Sequence, residues 1–137
     1  MELAAPPSRA QIQRLEDELR ALPQVDIPTA HDFAPGLYVR TITIPKGATL
    51  TGKVHATEHV FIISKGDMTL VTEQGRMRVQ APFQCIGKAG MKRVGYAHEE
   101  TVCTNIHITP EKDLARLEAE LIVPDALPAP ERVKEIL

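Results

Sequence analysis

The stretch that decides the fold is GKVHATEHVFIISKG, residues 52–66. In a β-strand, alternate side chains point to the same face. The odd-numbered residues from 53 to 63 therefore share one face, which is polar at first and becomes apolar at Phe61. The apolar end points this face inward, so the pattern predicts that His55 and His59 lie at the mouth of an apolar interior.

Glycine and proline divide the chain around this stretch. All eight glycines lie between residues 36 and 95, whereas most prolines lie outside that region. Glycines spaced between short apolar runs are typical of turns that join consecutive strands. We therefore predict an all-β middle, residues 36–108, with eight strands: Leu37–Ile44, Thr51–His55, His59–Ser64, Met68–Glu73, Arg76–Gln80, Phe83–Gly87, Lys92–Ala97 and Thr101–Ile108.

The first flank, residues 1–35, predicts a helix followed by an arm. The helix runs from Arg9 to Leu22, with Ser8 as N-cap and Gln11 placed for a capping box. Its apolar residues form a stripe that must lie against the β core or another chain, and they are Ile12, Leu15, Leu19 and Leu22. Prolines 23, 28 and 35 indicate an extended arm after the helix.

The last flank, residues 109–137, predicts a second helix and a proline-rich tail. Thr109 is the expected N-cap, Pro110 the first helical residue and Pro124 the end of the helix.

Length and composition exclude several classes of protein. The chain has 137 residues, enough for one core, and no apolar run long enough to span a bilayer. No secretory signal is visible, so we expect a cytoplasmic protein in which Cys85 and Cys103 are thiols. A net charge of −2, without runs of like charge and with few aromatic residues, predicts no nucleic-acid partner.

The sequence resembles the cupin superfamily of small jelly-roll barrels over residues 36–108. The first family motif has two histidines, an acid and a glycine; His55 falls on the second histidine, His59 on the acid and Gly66 on the glycine. Lys53 replaces the first histidine, and Arg93 replaces the histidine of the second motif. The resemblance implies a single antiparallel jelly-roll barrel with the predicted helices at its two ends.

The pair His55 and His59 suits a transition metal, because imidazole nitrogens bind iron, nickel, copper and zinc. Lys53 and Arg93 offer no such ligand, since a guanidinium has no lone pair and stays charged. A metal centre therefore needs further ligands, for which the candidates are Glu58, His98 and His107. The apolar alternation of Val102, Ile106 and Ile108 predicts that His107 points away from the core.

Two other interpretations of the same pocket remain open. Lys53 and Arg93, with protonated His55 and His59, suit a small anionic ligand such as a carboxylate or phosphate. Alternatively, the two cations are solvated at the rim and the histidines are hydrogen-bonded interior groups. The cofactor is accordingly one divalent metal, with iron, nickel, manganese and zinc as candidates, or none.

A closer resemblance concerns three runs: TEHVFIISKG, residues 57–66, KRVGYAHEE, residues 92–100, and TNIHIT, residues 104–109. They are similar to cupin-like proteins of tailed bacteriophages, which implies a virion or host-cytoplasm location and phage structural partners. With half of the metal positions replaced, the leading hypothesis is a non-enzymatic module that binds a small ligand or helps to assemble a particle. The alternative is a metal-dependent isomerase or dioxygenase. Apolar surface on the flanks and on the outer strand face predicts a dimer or larger homo-oligomer.

Overall fold

The computed structural model describes residues 6–122, so the helix end at Pro124 and the proline-rich tail lie outside the described residues. Nine strands lie between two helices. In chain order the elements are α1 (Arg9–Arg20), β1 (Thr29–Ala34), β2 (Leu37–Ile44), β3 (Thr49–Thr51), β4 (His59–Lys65), β5 (Asp67–Thr72), β6 (Gly75–Gln80), β7 (Phe83–Gly87), β8 (Arg93–Ala97), β9 (Thr101–Ile108) and α2 (Leu114–Leu121).

The strands form two antiparallel sheets, with the orders β1-β2-β9-β4-β7 and β3-β8-β5-β6. This arrangement confirms the predicted all-β class, and β2, β7 and β9 have the predicted bounds. The strand predicted at Thr51–His55 is wrong in extent, since β3 ends at Thr51 and His55 forms only an isolated bridge to Ile122. Residues 52–58, between β3 and β4, therefore form a connecting segment in which His55 is buried.

The predicted extended arm includes a strand. Residues 29–34 form β1, which pairs with β2 at the edge of the five-stranded sheet. Every residue of β1 is exposed, and no alternating apolar pattern marks it in the sequence. The segment is a strand because it pairs with β2, and its own residues do not predict this pairing.

The core lies between the two sheets. Phe61 and Ile63 of β4 are fully buried there, which confirms the inward face predicted from the sequence. The buried cluster comprises Ile42, Ile44, Ala48, Leu50, Phe61, Ile63, Met68, Leu70, Val79, Ala97 and Cys103. These apolar side chains fill the barrel beneath the polar mouth and hold its walls in register.

Helix α1 begins as predicted. The Ser8 hydroxyl accepts the Gln11 N–H at 3.2 Å, and the Gln11 side chain accepts the Ser8 N–H at 2.8 Å. The predicted buried stripe is partly wrong, because Leu22 is 58% exposed whereas Glu16 is buried. Glu16 turns toward the barrel because the ammonium of Lys92 lies beneath the helix, 2.6 Å from its carboxylate.

Helix α2 begins later than predicted. Asp113, not Thr109, is the N-cap, and its carboxylate accepts the Arg116 N–H at 3.1 Å. The Thr109 hydroxyl instead accepts the Glu111 N–H at 3.1 Å, which closes a tight turn before the helix. Neither described helix has the length and apolar content needed to cross a bilayer.

Candidate functional site

Three histidines meet inside the barrel. His55 comes from the segment between β3 and β4, His59 opens β4, and His107 lies near the end of β9. Their ring centroids are 4.3 to 5.0 Å apart, and one ligand nitrogen from each lies within 4.8 Å of the other two. All three side chains are at most 4% exposed. We call these residues the histidine cluster.

The prediction for His107 is wrong. Along β9 the odd-numbered residues are buried, and Ile108 is 88% exposed. The apolar side chains of this strand therefore face outward, while Cys103, Asn105 and His107 face the other sheet. The inner face of β9 carries the polar residues Asn105 and His107 near the mouth of the barrel. The apolar side chains of this strand therefore do not mark its inner face.

Burial keeps the histidine cluster neutral. Burial, together with the neighbouring His59 and His107, lowers the pKa of His55 to about 2. Burial likewise lowers the pKa of His107 to about 4, and it also lowers the pKa of His59. Neutral imidazoles carry the lone pairs that a metal needs, whereas the anion-binding interpretation required protonated rings.

The hydrogen bonds of His59 fix its tautomer. Arg93 Nη2 lies 2.9 Å from His59 Nε2, and a guanidinium only donates, so Nε2 is the acceptor. His59 Nδ1 therefore carries the proton and donates it to the Thr57 carbonyl oxygen at 3.2 Å. Gly87 packs so closely on this ring that a Cβ atom there would collide with His59 Nε2.

The other two rings have unused nitrogens. Within the described part of the chain, both ring nitrogens of His55 and Nδ1 of His107 are buried without a hydrogen-bond partner. A buried polar atom without a partner costs about 1–3 kcal/mol. These orphaned nitrogens fit a shared cation, because one transition metal ion could accept a lone pair from each ring.

The two predicted cations lie in different surroundings. The Arg93 guanidinium is buried, with Cζ 4.4 Å from the centre of the Phe61 ring. Lys53 lies at the mouth, where its ammonium is 2.6 Å from the Glu118 carboxylate of α2. The structure thus brings Arg93 against the histidine cluster, whereas Lys53 pairs with a helix that the sequence analysis did not place there.

The remaining ligand candidates lie elsewhere. Glu58 is exposed, and the His98 ring bonds the Thr69 hydroxyl at 2.7 Å. Neither belongs to the histidine cluster.

A cavity of about 150 Å³ lies beside the histidine cluster. It is lined by His55 and His107, by Tyr38 and Arg40 of β2, and by α2, which covers it. Burial lowers the pKa of Arg40 and raises that of Tyr38. The sequence analysis missed both β2 residues, although they share their strand face with the core residue Ile42, which is the same signal that revealed His55 and His59.

Comparisons with known proteins identify the fold. No family model matches the sequence, and no curated protein does. Among solved structures, salicylate 1,2-dioxygenase from Pseudaminobacter salicylatoxidans matches at a TM-score of 0.58 and 11% identity, over 80% of this chain and 34% of that one. The Cnp3 cupin domain from Schizosaccharomyces pombe matches at 0.53 and 17%, over 74% and 76%. A cupin superfamily protein from Desulfitobacterium hafniense matches at 0.53 and 7%, over 80% and 99%.

These likenesses confirm the predicted cupin jelly roll as the fold. One of the three structures is an enzyme and the other two are named only as cupins, so the fold leaves the role of this chain open. The three structures come from bacteria and a yeast. The resemblance to phage proteins, the cytoplasmic location and self-association stay predictions.

Proposed function

We propose that this chain, with its cupin jelly roll, is a ligand-binding protein whose histidine cluster holds one divalent transition metal ion. The observation that carries the proposal is the set of orphaned nitrogens on His55 and His107, buried beside the ring of His59. A cation would give the nitrogens of His55 and His107 the partners that they lack.

The donor set narrows the choice of metal. Three imidazole nitrogens suit zinc, nickel, iron or copper, whereas manganese prefers carboxylate oxygens. When bound, the metal would act as a Lewis acid toward a ligand in the neighbouring cavity. Within this chain, His55 and His107 would bind it most readily, because His59 Nε2 already accepts the Arg93 N–H.

The neighbouring cavity supports binding of a small molecule. Arg40 and Lys53 bring two positive charges to its wall, and Glu118 of α2 lies 2.6 Å from Lys53. A small anion would compete with this carboxylate for the Lys53 ammonium. Ligand entry therefore involves α2, whose Leu117 and Leu121 pack on Tyr38.

A metal-dependent enzyme is the second candidate. The observation that favours it is that His55 and His107 line the cavity themselves, so a ligand can reach the metal position directly. An open position of this kind is typical of catalytic rather than structural metal sites. Incubation of the iron- or zinc-loaded protein with a set of small carboxylic acids, followed by mass spectrometry, separates the two functions: a converted acid supports the enzyme, and binding without conversion supports the non-enzymatic module.

The test of the metal centre is elemental analysis of the protein purified without added metal and again after loading with Zn²⁺ or Ni²⁺. We expect about one ion per chain, and its loss in the His55→Ala/His107→Ala double variant. His98→Ala is the matched control, because His98 is a partly buried histidine outside the cluster, and it should keep the ion. Equal metal content in both variants, or no metal after loading, would refute the proposal.

A further inference from the structure

A second cavity, of about 350 Å³, opens between the edges of the two sheets. Strand β6 ends one sheet and β7 ends the other, so the cavity lies where the barrel wall is not closed by backbone pairing. It shares no lining residue with the cavity beside α2. Its volume is in the range of sites for small molecules.

Arg93 lies at the inner end of this second cavity. Its side chain is 7% exposed, and its polar contact is the bond from Nη2 to His59. Among residues 6–122, no carboxylate lies within 4.0 Å of its guanidinium. A buried charge is costly without a counter-charge, and the Phe61 ring compensates for only part of that cost. The donors of Arg93 that His59 does not use are available to an anion.

The charge of the lining is one-sided. Arg93, Arg76 and Lys88 bring three cations to the cavity, and its lining includes no acidic side chain. Arg76 and Lys88 are exposed at the rim, so solvent screens them, whereas Arg93 is not screened. The charge of the lining therefore favours an anion, and Arg93 offers it a partner at the buried end.

The rest of the lining is apolar. Met77 is more than half exposed although it is large and hydrophobic, and it pairs with the buried Leu70 on the face that lines this opening. Leu70, Phe83 and Met91 continue this surface toward Arg93. A fully hydrated ion such as inorganic phosphate would leave these side chains in water, whereas an apolar group would cover them.

We propose that this second cavity binds an organic monocarboxylate, with the carboxylate on Arg93 and an apolar body against Met77 and Phe83. Arginine binds a carboxylate through two parallel N–H···O bonds, which matches its donors here. The proposal goes beyond the metal centre and does not require it, because the two cavities are lined by different residues.

The experiment is isothermal titration of the metal-free full chain with octanoate at pH 7. We expect one octanoate per chain, with acetate and octylammonium each binding at least tenfold more weakly. Acetate lacks the apolar body, and octylammonium carries the wrong charge. Arg93→Met should weaken octanoate binding about tenfold to a hundredfold, the usual effect of a lost charge-assisted hydrogen bond. Arg76→Gln, at the exposed rim of the same cavity, should weaken it less than threefold.

A second variant keeps the proposal testable if Arg93→Met does not fold. Met77→Glu changes an exposed side chain and places a negative charge at the opening, so it should weaken octanoate binding at least tenfold, whereas Met77→Gln should not. The His55→Ala/His107→Ala variant should keep its octanoate affinity, which separates this proposal from the metal centre. The proposal is wrong if octanoate does not bind, if octylammonium or phosphate binds as tightly, or if Met77→Glu binds as well as Met77→Gln.

Discussion

Replacement of Glu16 by glutamine tests how α1 is held on the barrel. The Glu16 carboxylate lies 2.6 Å from the Lys92 ammonium, and both side chains are only 1% exposed. The Thr51 hydroxyl also donates to this carboxylate, at 2.7 Å. Glutamine leaves the buried Lys92 ammonium beside a neutral amide instead of a carboxylate, and breaking a buried ion pair in this way costs about 3–5 kcal/mol. The change is therefore large compared with the total stability of a domain of this size.

The assay is equilibrium urea unfolding, with thermal unfolding as a second measure. We expect Glu16→Gln to lose about 3–5 kcal/mol, or about 10–20 °C in melting temperature. Glu18→Gln is the matched control, because Glu18 is an exposed carboxylate on the same helix, and it should change stability by less than about 0.5 kcal/mol.

The double variant Glu16→Leu/Lys92→Met completes the cycle. It removes both charges and replaces them with apolar side chains, so it should recover most of the loss, since buried ion pairs are often no more stabilising than well-packed apolar groups. If Glu16→Gln is as stable as Glu18→Gln, or if the double variant is less stable than Glu16→Gln, the ion pair does not hold α1 on the barrel.

The remaining two predictions concern the histidine cluster. The stability of the metal-free protein should fall as the pH drops below about 6.5, because unfolded histidines then take up protons that His107 resists down to about 4 and His55 down to about 2. The slope is about 1.4 kcal/mol per pH unit for each histidine, and urea unfolding at pH 7 and pH 5 should show it in the natural protein and much less in the double alanine variant. Arg93→Met should bind Zn²⁺ at least tenfold more tightly, measured by competition with a chelator, because it frees His59 Nε2 and removes a nearby positive charge. Unchanged Zn²⁺ affinity would contradict a role for His59 as a ligand.

The sequence by itself determined the elements whose cause is local. Glycine-separated apolar runs predicted seven of the nine described strands to within one residue at each end, and the Ser8 and Gln11 capping box set the start of α1. Alternation within β4 placed His59 on the same face as the buried Phe61, whereas His55 lies outside the strands and forms an isolated bridge to Ile122.

Tertiary structure decided what depends on partners far along the chain. His107 lies inside because β9 is flanked by β2 and β4, and the face that meets the other sheet is the polar one. Glu16 is buried because Lys92 lies beneath α1, although 76 residues separate them in sequence. Apolar periodicity shows which side of a strand or helix is more hydrophobic, whereas burial depends on what packs against that side. In this protein, Glu16 and His107 are buried on a side that their own helix or strand does not mark as apolar.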